Sequence, residues 1–435
     1  MASKDFKVAI VGGGLCGLAC AIALLKDGVD VDVYEAAEKF GDVGGGVGQG
    51  ANALHVLEAL GVLDDVREQA ALSAGPVSQG QYHNFSNTGW FKFVSGLEGH
   101  EVLLDLTFSQ YEAERVEPGF HRAVLVDALS KHIPAGRKHF HKRCVSISQP
   151  SSNEPVTIRF VDGTTASADV VLGTDGLKSI VRRFTTDTFG VDPDPWLKFS
   201  NKLCFRTLFP ASKAVEAGIT LDFHDRPICY VGKSNHIVAF TVKNGSIINV
   251  VASAESPDAP AGEDTFTPAR KHTSSEELLA MYADWGSEVR KLLACGEGVT
   301  KWNINVVYPH LPPEKWTKGR VAILGDAAHA MLPHLGAGAG QGFEDAYLVG
   351  KLLGDPRTNL SNLESVLRAY ATVRQPRAQK VWEESKRVAD IYEERYDSIN
   401  GEELHALWDY VWKYKLDDDV QRVRQLLVTE GIFEG

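Results

Sequence analysis

FKVAIVGGGLCGLACAIALLKDGVDVDVYEAAEKF, residues 6–40, carries the pattern that decides the fold. Lys7–Val11 is a short apolar run of the kind a buried strand needs. Gly12-x-Gly14-x-x-Gly17 follows as a turn, and Leu15–Asp27 then keeps helical spacing until Gly28 closes it. Val29–Tyr34 reads as a second strand with Glu35 at its tip, 21 residues beyond Gly14. Strand, glycine turn, helix, strand and acid in this order make a βαβ unit suited to a dinucleotide. The glycines allow a tight turn and close approach of a pyrophosphate, and Glu35 is placed to accept from a ribose hydroxyl. A GxGxxG alone is a weak signal; here both flanks supply the context it requires.

Two later segments return to the same logic. VTIRFVDGTTASADVVLGTDGLKSIVRRF (156–184) reads as strand, Asp162-Gly163 hairpin turn, strand, then a buried run Val170–Leu172 that delivers Asp175 and Gly176 into a turn. GRVAILGDAAHA (319–330) is again a strand, running into LGDAAHAMLPHLGAGAGQGFEDA (324–346). In that stretch Gly336, Gly338, Gly340 and Gly342 read as a glycine-rich turn, with Glu344 and Asp345 opening a helix. Backbone N–H groups at such a place face something negative. Between these segments, 41–66 is glycine-rich and then helical from about Asn52, and HRAVLVDALSKHI (121–133) is helical with Arg122 at its start. Residues 78–118 and 200–255 alternate as sheet, about 255–272 is a Pro/Ala/Glu-rich loop, and the chain beyond about Asn362 is amphipathic helix. The expected organisation is a discontinuous dinucleotide domain (1–75, 119–185, 318–365), a sheet domain (76–118, 186–317) and a helical C-terminal segment (366–435).

Composition narrows the function classes. The 435 residues carry a net charge of −12 with no basic stripe, which argues against a nucleic-acid partner. No apolar run reaches the ~18–20 residues a membrane span needs, and no signal peptide or sorting tail is evident, so a cytoplasmic enzyme is expected. Six cysteines at 16, 20, 144, 204, 229 and 295 form no CxxC pair, which fits buried thiols in a reducing compartment. His329 and His334 are not in an HExxH arrangement, and no metal is expected.

Taken together, Gly12–Gly17, TDGLKSIVR (174–182) and LGDAAHAMLP (324–333) resemble the GxGxxG, DG and GD motifs of the single-component FAD-dependent aromatic hydroxylases, in the same order and over nearly the whole chain. Within that family the chain is similar to the salicylate hydroxylases in GDAAHAMLPHLGAGAGQGFEDAY (325–347), FTVKNGSIINVVA (240–252) and HRAVLVDALSKHIPAG (121–136). Fungal phenol-dearomatising hydroxylases are a near second through FSNKLCFRTL (199–208), where Arg206 matches. They carry tyrosine at the position of Phe240, and their glycine run departs from GAGAGQG.

The resemblance implies an α/β fold: a Rossmann-like FAD-binding domain of the para-hydroxybenzoate-hydroxylase type, interleaved with a mixed β-sheet substrate domain. It implies FAD, with NADH or NADPH as co-substrate, a small aromatic substrate and O2 as partners, and a monomer or homodimer. Gly12, Gly14, Gly17, Glu35 and Arg122 would hold the ADP half, Asp326 the ribityl or pyrophosphate segment, and Asp175 both flavin and nicotinamide. The Gly338–Ala339–Gly340 helix start would face the flavin pyrimidine edge. The implied reaction runs through a flavin hydroperoxide attacked by a substrate phenolate, with salicylate yielding catechol and CO2. His334 is then the candidate base, with an ordinary pKa of about 6.5, and Arg206 the candidate partner of a substrate anion. His329 reads as packing beneath the loop; Lys233 and His236 are secondary candidates. The alternative reading is another phenol: a substituted salicylate, a hydroxybenzoate or an acylated resorcinol.

Overall fold

The computed structural model describes residues 4–41, 46–73, 91–107, 117–151, 154–242, 245–257 and 270–434. The loop expected at about 255–272 and parts of the 78–118 segment therefore lie largely outside the described residues.

Lys7–Val11 is flanked on one side by Asp30–Tyr34 and Lys138–His139, and on the other by Val170–Gly173, Val321–Ile323 and Thr317–Lys318. All of these pair in parallel except the antiparallel edge strand Thr317–Lys318. Strands of a parallel sheet are covered on both faces, which is why AIV and VVL are continuous apolar runs with no alternation. Val8, Ile10, Val170, Val171 and Leu172 have no exposed surface.

The second sheet has eight strands and alternates instead. Its order is Arg270–His272, Glu297–Val307, Leu197–Pro210, Ile247–Glu255, Asn235–Val242, Ile228–Gly232, Phe91–Ser95 and Val102–Leu106. Leu203, Phe205 and Phe209 turn to one face, with Ile237, Ala239, Ile248, Val250 and Ala252, under the helices Ser275–Ala280 and Ser287–Ala294. Period-two alternation puts Lys202, Cys204, Arg206, His236, Val238, Phe240, Asn249, Val251 and Ser253 on the opposite face.

One expectation is corrected here. The helix after the glycine run begins at Gly338 and not at Glu344, so Gly338, Ala339, Gly340 and Gly342 are helical residues. Glycine disfavours helix, but packing overrides propensity at this place. A Cβ at Gly342 would stand 3.0 Å from Cys16 Cβ, and one at Gly350 would stand 2.5 Å from Ala23 Cβ. The helices Leu15–Lys26 and Gly338–Leu353 thus approach closely through small residues.

Behind them runs Leu363–Glu393, a 31-residue helix, followed by Gly401–Trp412 and Leu416–Thr429. The six cysteines are free thiols. Among the described residues no helix is long and apolar enough to cross a membrane.

Candidate active site

The three motif segments meet at the carboxyl ends of three adjacent parallel strands, where open α/β sheets bind their ligands. Gly12 has φ +109°, and a Cβ there would sit 2.4 Å from the Thr174 carbonyl oxygen. The Thr174 hydroxyl donates to the Gly12 carbonyl at 2.8 Å, tying the DG segment to the first turn. The helix Leu15–Lys26 starts at Gly14 with no side-chain cap and no acid in its first turn, so its N–H groups are available to an anion. Arg122 Nη2 lies 3.9 Å from where a Gly14 Cβ would be. Glu35 is fixed at the strand tip by N–H donors from Gly13 (2.7 Å) and Ala37 (2.8 Å).

Gly17 admits no side chain, since a Cβ there would lie 2.0 Å from the Gly12 carbonyl and 2.6 Å from the Thr174 hydroxyl. Overpacking of this kind costs ~1–3 kcal/mol, so Gly17→Ala is expected to weaken FAD binding by about 10–100-fold. The check is flavin absorbance per protein after gel filtration. A variant that keeps its full flavin contradicts this placement.

Asp175 accepts from Ser179 Oγ (2.5 Å) and the N–H groups of Ile180 (2.7 Å) and Val181 (3.2 Å), capping the short helix Ile180–Thr185. In the same motif Arg182, fully buried, pairs with Asp194 at 2.7 Å and donates to the carbonyls of Leu177 (2.7 Å) and Ala327 (2.9 Å). It staples the DG segment to the GD segment. Asp326 is exposed and has no hydrogen bond or ion pair among the described residues, so its carboxylate remains available to a ligand. Gly336 and Gly338 have nothing within 4 Å of an added Cβ, and the helix from Gly338 is uncapped by any side chain. Two uncapped helix starts, bare glycine backbone and an unengaged carboxylate fit a dinucleotide flavin.

Glu344 and Asp345, expected only to open a helix, are wholly buried in an ion network. Arg374 reaches Glu344 at 3.1 Å and Asp345 at 2.8 Å, and Arg377 reaches Glu344 at 3.1 Å. Asn52 donates to Glu344 at 2.7 Å, and the Gly325 N–H to Asp345 at 2.7 Å. Burial alone would raise both carboxyls, but Arg377 and Arg374 for Glu344, and Arg374 and His329 for Asp345, hold them below the ordinary range. His329 Nε2 is 2.8 Å from Asp345, and its ring lies 5.5 Å from Trp316, so it supports the loop from beneath. Among the described residues no group of side chains could hold a metal ion.

His334 reaches the polar face of the eight-stranded sheet. Its ring packs edge-on against His236, with centroids 5.1 Å apart, and neither of its nitrogens has a hydrogen-bond partner. Burial first, then His236, with an opposing pull from Glu393 and a smaller push from Lys202, bring its pKa down to about 3. His236 Nδ1 lies 2.9 Å from Glu393, whose other oxygen pairs with Lys202. Lys233, by contrast, is exposed in a hairpin turn.

Arg206 lies two residues further along its strand than Cys204, whose row crosses Ser253 to His236. That places the two rows ~7 Å apart at ~3.3 Å per residue. Arg206 Nε donates to Asn249 at 3.1 Å, and burial works against its charge. No carboxylate pairs with it among the described residues. Sequence reasoning missed Lys202, Glu393 and Asn249, whose roles depend on a long helix ending against a distant sheet; no local pattern marks them.

Comparisons with known proteins bear on the family and the fold. The FAD binding domain model matches residues 5–190 and 290–385. A salicylate hydroxylase from Pseudomonas putida is 36% identical over 96% of this chain and 94% of its own. A 6-methylsalicylate 1-monooxygenase from Aspergillus terreus is 32% identical over 95% of this chain and 91% of its own. The solved structure of a salicylate hydroxylase substrate complex superposes with a TM-score of 0.79 at 29% identity, covering 97% of this chain and 98% of that one. Motifs, cradle and relatives converge: the chain belongs to the FAD-dependent aromatic monooxygenases of the salicylate hydroxylase type, with FAD as cofactor and NAD(P)H as co-substrate.

Proposed function

We propose that this enzyme hydroxylates salicylate at its carboxyl-bearing carbon, releasing CO2 and forming catechol. The observation that carries the reading is Arg206: a half-buried guanidinium without a carboxylate partner, on the sheet face that also holds His236. A buried cation left unpaired is costly, and a substrate carboxylate completes it. His334, neutral and with both nitrogens free of partners, takes the hydrogen bond of the substrate hydroxyl and draws its proton away. The phenolate so formed is a stronger carbon nucleophile than the phenol.

FAD, when bound, supplies hydride acceptance from NAD(P)H and activation of O2. In this reading Gly12, Gly14 and Gly17 leave room for its ADP half, Glu35 engages the ribose, Arg122 the pyrophosphate and Asp326 the ribityl chain. Asp175, at the mouth of the DG turn, orients the flavin and the nicotinamide. The uncapped N–H groups of Gly338, Ala339 and Gly340 favour negative charge beside them by ~0.5–2 kcal/mol. The segments 1–75, 119–185 and 318–365 act as the FAD domain, and 76–118 with 186–317 as the substrate domain. A cytoplasmic monomer or homodimer is the proposed form.

The test is aerobic turnover with NADH and salicylate, assaying catechol by chromatography and CO2 by trapping. Equal amounts of both are expected. NADH oxidation that yields only peroxide makes salicylate an effector and points to another phenol. Resemblance to the 6-methylsalicylate enzyme makes a substituted salicylate the first alternative to try.

A further inference from the structure

The chain Lys202–Glu393–His236–His334 is assembled from three separate parts of the fold: the strand Leu197–Pro210, the end of the helix Leu363–Glu393, and the hairpin strand Asn235–Val242, closed by the loop before Gly336. Glu393 is 3% exposed and His236 6%. Burial would raise the Glu393 carboxyl, but the hydrogen bond from His236 and the charge of Lys202 outweigh it and hold it below the usual carboxylate range. A carboxylate only accepts, so His236 Nδ1 carries the hydrogen and its Nε2 is left basic. The tether between helix end and sheet does not need this carboxylate, because the Ser234 N–H already donates to the Glu393 backbone carbonyl at 3.0 Å.

His334 is poorly suited to keep a proton. It is buried, its nitrogens are unpartnered, and burial is the first cause that holds its pKa down. His236, in ring contact with it, has a counter-charge directly behind. We propose that Glu393 is a positioning residue for removal of the substrate's hydroxyl proton: it holds His236 in the Nδ1–H tautomer and leaves Nε2 to receive the proton that His334 relays. This inference rests on the phenol-hydroxylase reading above.

The step balances without electron transfer. The substrate O–H bond breaks as an N–H bond forms on one nitrogen of His334. The other nitrogen of His334, once turned from the present edge-on contact toward His236 Nε2, yields its proton there, and the electron pair stays on the substrate oxygen. The proton gained by His236 lies beside the Glu393 carboxylate and faces the substrate's new negative oxygen. The proton returns to a product oxygen when the ring regains aromaticity. The logic is that of a histidine oriented by a carboxylate, as in other proton-transferring sites.

The test is Glu393→Gln in the FAD-loaded enzyme, with salicylates whose ring substituents make the hydroxyl progressively more acidic. Coupled product formation from salicylate is expected to fall on the order of 10²-fold, while salicylate binding, read from the flavin difference spectrum, moves by less than about threefold. The loss is expected to shrink steadily as the hydroxyl becomes more acidic, because such substrates need less help to ionise. A loss equal across the series, or no loss at all, overturns the proposal. If Glu393→Gln releases FAD, His236→Asn measured on the same series reads the same step, and a flat loss there overturns it equally. Failure of the underlying reading looks different: the wild type itself then converts none of the series to hydroxylated product.

Discussion

Replacing His334 with alanine is expected to lower product formation by ~10²–10⁴-fold, the range a positioned proton-transfer group contributes, while NADH oxidation continues and its electrons leave as peroxide. His334 follows Pro333 and precedes the glycine run, so the loop proposed to meet the cofactor also presents the imidazole to the sheet face bearing His236 and Arg206. No main-chain or side-chain group competes for either of its nitrogens, which leaves the hydrogen-bonding capacity to a ligand. With a pKa near 3 the side chain stays neutral across the working pH range, so a titration in the pH 5–8 profile does not belong to it. The check is the ratio of catechol to NADH consumed, with peroxide measured alongside. Coupling unchanged in the variant removes His334 from the proton path.

The second large effect concerns stability. Arg374→Leu is expected to cost ~3–5 kcal/mol, because it leaves Glu344 and Asp345, both without solvent contact, short of their shared counter-charge. For a chain of 435 residues, with an unfolding entropy of ~0.9 kcal/mol/K, that corresponds to a fall in Tm of ~3–6 °C. FAD should be lost in the same transition, since Asp345 also holds the Gly325 N–H at the GD turn and Glu344 holds Asn52. Thermal unfolding followed by flavin fluorescence checks both statements at once. Adding Glu344→Gln and Asp345→Asn to the variant should recover part of the loss, because the uncompensated charges are then gone. A Tm drop under ~2 °C means that the two acids are hydrated or protonated in the folded enzyme.

Local signals carried much of the fold. The unit from Phe6 to Phe40 is legible because strand, turn and helix each depend on near neighbours, and the two later motifs are legible because each follows a short buried strand. The start of the glycine helix was not legible, since residues with low helix propensity are held there by contact with Cys16, more than 300 positions away in sequence. Asp175 could be placed in its turn, but its engagement with Ser179, Ile180 and Val181 appears only in three dimensions. Among the candidate site residues, His334 and Arg206 stood out by motif and residue type. Their surroundings did not: Asn249 is an unremarkable residue in an alternating strand, and Glu393 is one of many acids on an amphipathic helix. Arg374 and Arg377 lie in a stretch read only as amphipathic helix, and both are buried. Charge patterning along a helix cannot show which acids a neighbouring element will bring to it.

The helix Leu363–Glu393 engages the glycine helix through Arg374 and the polar sheet face through Glu393, nineteen residues later. At ~1.5 Å per residue the two points are held ~28 Å apart by continuous helix. One residue inserted between them would rotate everything beyond it by ~100° and advance it ~1.5 Å, taking Glu393 off His236 while Arg374 stayed in place. This span behaves as a measured spacer. Descendants of this sequence should vary in side chain along it long before they vary in length.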